Sequence, residues 1–161
     1  SEPLFGLAQV ALQWNELEQA AAFLEEGLVL AGQWSEFAPL DGYLIQARLF
    51  QARGDFAGGQ RVLAEAARLA ERFDATELDD RAVALYQAEM AISQGNLPAA
   101  EKWARARGLP EDLGRIGEVM ETDPICKYEY LTLAELRLAE GRPERALALL
   151  ELLYEIGRAH V

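Results

Sequence analysis

Residues 85–104 read LYQAEMAISQGNLPAAEKWA, and their spacing decides the fold. A large apolar residue, Leu85, stands ten places before Gly95, and a small one, Ala88, stands seven before it. After the glycine come Leu97 at plus two, Ala100 at plus five and Ala104 at plus nine. Apolar residues on both sides of Gly95 keep helical spacing, and the glycine supplies the left-handed conformation that closes one helix. The stretch therefore predicts two helices joined by a tight turn, with alanine on each helix where they cross.

Working outward, the same cadence returns three more times. Around Asn15 lie Phe5, Ala8, Leu17, Ala20 and Leu24; around Gly54 lie Leu44, Ala47, Phe56, Gly59 and Leu63. Around Gly141 lie Leu131, Ala134, Pro143, Ala146 and Leu150. Successive turns are 39, 41 and 46 residues apart, a period that marks stacked helical hairpins. Alanine or glycine at the crossing lets two backbones approach closely. A hairpin alone leaves one apolar face uncovered, so neighbours have to stack into a continuous core. The expectation is an all-α chain, one helical-repeat domain over 1–161 of about four hairpins and eight or nine helices. The hairpins fall near 3–33, 38–73, 76–107 and 124–157.

Punctuation between the hairpins agrees. Gly32 can end a helix, and 34–39 reads as a linker with Pro39 near the start of the next. Thr76-Glu77-Leu78-Asp79 resembles a capping box. Residues 108–123, with Pro110, Gly114 and Gly117, predict a long connection holding one short helix near 111–119, and long ordered connections are often functional. No run alternates apolar and polar residues, so no strand is expected.

With 161 residues and 51% hydrophobic side chains the chain can bury a substantial core. Apolar runs such as 20–24 and 146–150 are far short of the roughly 20 residues that span a bilayer, which predicts a soluble protein. No basic, apolar and small-residue succession stands at the first residues, so no secretory signal is expected within this stretch. One cysteine, Cys126, excludes an internal disulfide, fits a cytoplasmic setting and is expected to be a half-buried small hydrophobe. The formal charge is −12, and residues 1–80 carry 14 acidic and 5 basic side chains. Nucleic-acid binding draws its affinity from cations on phosphate, so direct DNA contact by this segment is not expected.

The chemistry-bearing residues do not assemble a catalytic site. Glu25-Glu26, Asp79-Asp80 and Glu111-Asp112 are sequence neighbours, which a helix points about 100° apart. Glu121 and Asp123 precede Pro124, where capping of the following helix explains them. The single histidine, His160, has no partner for nucleophilic or metal chemistry, so no enzyme activity, metal or cofactor is expected.

Beyond the cadence, Ala100-Glu101-Lys102-Trp103-Ala104, Arg107-Gly108-Leu109-Pro110 and the run Tyr128-Glu129-Tyr130-Leu131-Thr132-Leu133-Ala134 are more specific. So are Trp14-Asn15-Glu16-Leu17-Glu18 and Leu40-Asp41-Gly42-Tyr43. The hairpins resemble tetratricopeptide repeats in their longer-period form. The specific stretches resemble the sensor region of MalT-like, ATP-dependent LuxR-family transcriptional regulators, over essentially the whole chain. The resemblance implies a fragment of a longer protein, with ATP and DNA sites on other parts of the parent. No Gly-x-x-x-x-Gly-Lys-Ser/Thr loop and no basic recognition helix occur here.

In a curved array the first helix of each hairpin lines the concave side. By helical spacing the candidate groove comprises Phe5, Gln9 and Gln13; Leu44, Arg48 and Gln51; Leu85, Glu89 and Ile92; and Tyr128, Leu131 and Glu135. This mixture of aromatic, amide and charged groups could hold a small-molecule effector or a peptide by stacking and directed hydrogen bonds, or form an ordinary solvated face. Trp103 is expected in the core, and Trp14 and Trp34 over hairpin ends. The preferred function is an effector-sensing or protein-interaction segment acting by non-covalent binding. The alternatives are a tetratricopeptide-type adaptor and a self-association scaffold unrelated to transcription.

Overall fold

Four left-handed residues set the architecture. Asn15, Gly54, Gly95 and Gly141 have φ of 59°, 75°, 71° and 74° in the structure, a computed structural model. It describes residues 2–34, 40–72, 76–109, 116, 123 and 125–159. Each turn makes the same two backbone bonds that satisfy orphaned carbonyls at a helix end. At the third turn Gly95 N donates to Ile92 O at 2.9 Å and Asn96 N to Ala91 O at 2.8 Å. The pairs Asn15–Leu12 and Glu16–Ala11, Gly54–Gln51 and Asp55–Phe50, and Gly141–Leu138 and Arg142–Arg137 repeat it at 2.8–3.0 Å.

Between these turns run α1 (Glu2–Gln13), α2 (Leu17–Trp34), α3 (Leu40–Ala52), α4 (Phe56–Arg72), α5 (Glu77–Ser93), α6 (Leu97–Arg107), α7 (Cys126–Ala139) and α8 (Pro143–Ala159). Among the described residues there are eight helices and no strand, an all-α helical repeat as expected. Side chains cap several helix starts, two of them predicted from the sequence, at Thr76 with Asp79 and at Asp123. Asp55 Oδ1 accepts from Gly58 N at 2.8 Å, opening α4. Before α5, Thr76 N and Oγ1 donate to Asp79 Oδ2 at 2.9 and 2.7 Å, and Asp79 N returns to Thr76 Oγ1 at 3.3 Å. That is a reciprocal capping box. Asp123 Oδ1 accepts from Ile125 N at 3.2 Å ahead of α7. Glu121, the linker 35–39 and most of the 108–123 connection lie outside the described residues. Of the short helix expected near 111–119, only Ile116 is described, helical and fully buried.

Contacts divide the chain into two compact units, Ser1–Tyr86 and Gln87–Val161. In the first, α1 pairs with α2 and α3 with α4, and α3 packs on both helices of the preceding hairpin. Phe5, Ala8, Ala11, Ala20, Leu24, Ile45 and Leu49 form a shared core. Stacking thus depends on small side chains, and Ala8, Ala20 and Ala47 are completely buried. Gly42 goes further: a Cβ there would lie 2.8 Å from Leu28 Cδ2 and 3.1 Å from Phe5 Cζ, so its bare backbone admits both side chains.

In the second unit α7 pairs with α8 and packs on α6. Ala100, Ala134 and Ala146 are buried here as the cadence requires. Charged groups join the packing. Arg107 Nε and Nη2 donate to Oε1 and Oε2 of Glu129 at 2.6 and 3.1 Å, and Glu129 is fully buried. Arg137, also buried, donates Nη1 to Glu101 Oε2 at 2.8 Å and Glu140 Oε2 at 2.9 Å. Burial of Tyr130 pushes its phenol up to about 12. Cys126, expected to be half-buried, is fully buried at the start of α7.

Candidate functional site

The predicted groove residues divide by their place in the repeat. Phe5, Leu44 and Leu85 are buried, Phe5 in the core shared by the first hairpins. They were expected to point into an open groove. At the first three turns the residue ten places before packs inward, whereas Leu131, ten before Gly141, stays exposed. Gln9 and Gln13 are exposed along α1, and Gln51 is half-buried near the end of α3. In the second unit Glu89 and Ile92 are half-buried on α5, whereas Tyr128, Leu131 and Glu135 are exposed along α7. Glu89 Oε1 accepts from the buried Thr132 hydroxyl at 3.4 Å.

One recess gathers predicted residues from different helices. Glu2, Phe5, Gly6 and Gln9 of α1, Asp41, Leu44 and Ile45 of α3, and Tyr86 of α5 enclose about 200 Å³. Periodicity explains its chemistry: Phe5, Leu44 and Ile45 form an apolar floor, while one helical turn away Gln9, Glu2 and Asp41 put polar groups on its rim. Burial raises the Asp41 carboxyl above its ordinary value of 3.8, and the nearby charges of Asp79 and Glu2 add to the rise. At the Tyr86 wall the Arg48 guanidinium lies 4.6 Å from the ring centroid, a cation–π contact that holds the ring's orientation.

An apolar floor with an amide, two carboxylates and a phenol on its walls suits reversible binding of a group rich in hydrogen-bond donors. Sequence reasoning found Phe5, Gln9, Leu44 and Arg48 through the concave-face argument. It missed Glu2, Asp41 and Tyr86. Each lies three or four residues from a predicted groove position or follows one directly, and only the packing of α1 on α3, with Tyr86 beside them, brings them together.

Two of the three tryptophans can be placed. Trp103 is buried, as expected for a packing residue, and its Nε1 finds no acceptor among the described residues. Trp14 is 71% exposed and so is not packed over the hairpin end. The Trp34 side chain and His160 lie outside the described residues. Among the described residues no cluster of His, Cys, Asp and Glu is arranged to hold a metal ion. No helix among them is long and apolar enough to cross a membrane.

No curated protein and no solved structure matches the chain. A family model described as the MalT-like TPR region matches residues 2–160. Its span coincides with the four hairpins, their left-handed turns and their buried alanines, and on that match the chain belongs to the MalT-like TPR region family.

Proposed function

We propose that this chain is the effector-sensing or protein-interacting segment of a MalT-like, LuxR-family transcriptional regulator, working in the cytoplasm. It acts by non-covalent binding alone, with no catalytic step and no cofactor on this segment. ATP hydrolysis and DNA contact belong to other parts of the parent chain. An effector or partner that binds one arrangement of the hairpins better than another shifts the parent between resting and active states by that difference in affinity.

The observation that carries this reading is the recess of α1, α3 and Tyr86, which places polar groups over an apolar floor on the first-helix face. A donor-rich small molecule or a peptide side chain fits that lining. Reporter transcription from the full-length regulator tests it, comparing the native protein with one carrying Gln9→Trp, which fills the recess from an exposed position. Loss of the effector response with unchanged protein level is the expected result. An unchanged response overturns the assignment.

A further inference from the structure

A second recess lies in the first unit between α2 and α3, away from the groove residues. Ala21, Leu24 and Leu28 of α2 and Leu49 and Phe50 of α3 form its walls, and its volume is about 340 Å³. That falls within the roughly 300–1,000 Å³ of small-molecule sites.

Its charged groups are placed asymmetrically. The two helices run antiparallel, since a short linker joins the end of α2 to the start of α3. Arg53, at the end of α3, therefore closes the recess near the beginning of α2, where its Nη2 meets Glu18 Oε1 at 2.8 Å. Glu18 is 92% exposed, so this is a weakly held surface pair. The bond uses one of the five donors that an arginine carries. Glu25, the carboxylate in the lining, lies seven residues further along α2, roughly 10 Å from the Glu18 level at helical rise. Gln46 of α3 is the other polar residue in the lining, and beyond Glu25 α2 contributes Leu28 and, at the rim, Val29.

We propose that this recess binds an unbranched apolar carboxylate of medium chain length. Its hydrocarbon tail lies along Leu24, Leu28 and Leu49, and its carboxylate takes the Arg53 fork in place of Glu18. A guanidinium matches a carboxylate with two parallel bonds, one to each oxygen, whereas a hydroxyl head offers a single uncharged oxygen. Leu28 couples the recess to the hairpin seam, because its Cδ2 occupies the space left open by Gly42. This ligand and this site are separate from the donor-rich effector of the first-helix recess.

The test is calorimetric titration of the 161-residue chain with decanoate, decanol and decylamine below their micelle concentrations, with methyl NMR of Leu24, Leu28 and Leu49. Decanoate is expected to bind one to one and to shift those methyls. Arg53→Gln should weaken it by roughly 10- to 100-fold, the range for a hydrogen bond to a charged group. Val29→Asp, at an exposed position that leaves folding intact, should weaken it by placing a carboxylate at the tail end. Absence of saturable binding overturns the proposal. So does equal binding of decanol, tighter binding of decylamine, or indifference to both substitutions. Because the titration reads the chain alone, its failure leaves the transcriptional test of the other recess unaffected.

Discussion

Arg107 on α6 holds both carboxylate oxygens of Glu129 on α7, and the glutamate is wholly removed from water. Removing one partner strands a buried charge. Arg107→Ala is expected to destabilise the fold by roughly 3–5 kcal/mol, whereas Arg107→Met with Glu129→Leu should cost far less, because no unpaired charge remains. Urea denaturation of the two variants measures the difference.

Asp41 and Glu101 should respond to acid in opposite directions. Burial, with Asp79 and Glu2 nearby, raises the Asp41 carboxyl above 3.8, so its neutral form favours folding and the ionised form at pH 7 opposes it. Asp41→Asn is therefore expected to raise the melting temperature at pH 7, with the gain fading as pH falls through the raised value towards 3.8 and absent below it. The Arg137 hydrogen bond, helped by Arg105, holds Glu101 below its ordinary 4.5 despite some desolvation. Glu101→Gln should lower the melting temperature at pH 7, and that loss should disappear as pH falls below 4.5. Melting curves from pH 7 to pH 3 check both slopes.

Equivalent register positions should differ in energetic weight. Leu85 and Leu131 each stand ten residues before a turn, yet Leu85 is 3% exposed and Leu131 40%. Leu150 is likewise 43% exposed, whereas Leu24 and Leu63 at its position are buried. Leu85→Ala is expected to cost about 2–5 kcal/mol and Leu131→Ala about 0.5 kcal/mol or less, the ordinary values for core and surface truncation. Parallel denaturant titrations decide it.

Gly95 tests the turn itself. A Cβ there meets nothing within 4 Å, so Gly95→Ala carries only the cost of its left-handed backbone, about 1–2 kcal/mol. Gly95→Asn should cost less, since Asn15 already adopts φ 59° at the first turn. Calorimetric scans of both variants give the comparison.

Most of the helical repeat was legible before any coordinates. Ala8, Ala47, Ala88 and Ala134 had to be small because the backbone approaches there, and all four are buried. Asn15 and the three turn glycines had to be permissive because a helix ending of this kind needs a positive φ, and they have it. The candidate site was only partly legible. Phe5, Gln9 and Leu44 line the recess on the first-helix face, whereas Leu85 is buried outside its lining and Leu131 lies exposed on α7.

From its own residues alone, the chain determined helix positions, turn geometry and the crossing surfaces, because these depend on local backbone sterics and on spacing along one helix. Tertiary structure decided which side chains meet across helices. Glu2, Asp41 and Tyr86 share a recess, Arg107 finds Glu129, and an apolar cavity ends at Arg53. Those pairings join residues far apart in the chain. They depend on how one hairpin is rotated and shifted against the next, which is set by the summed packing of many side chains and is encoded in no single spacing.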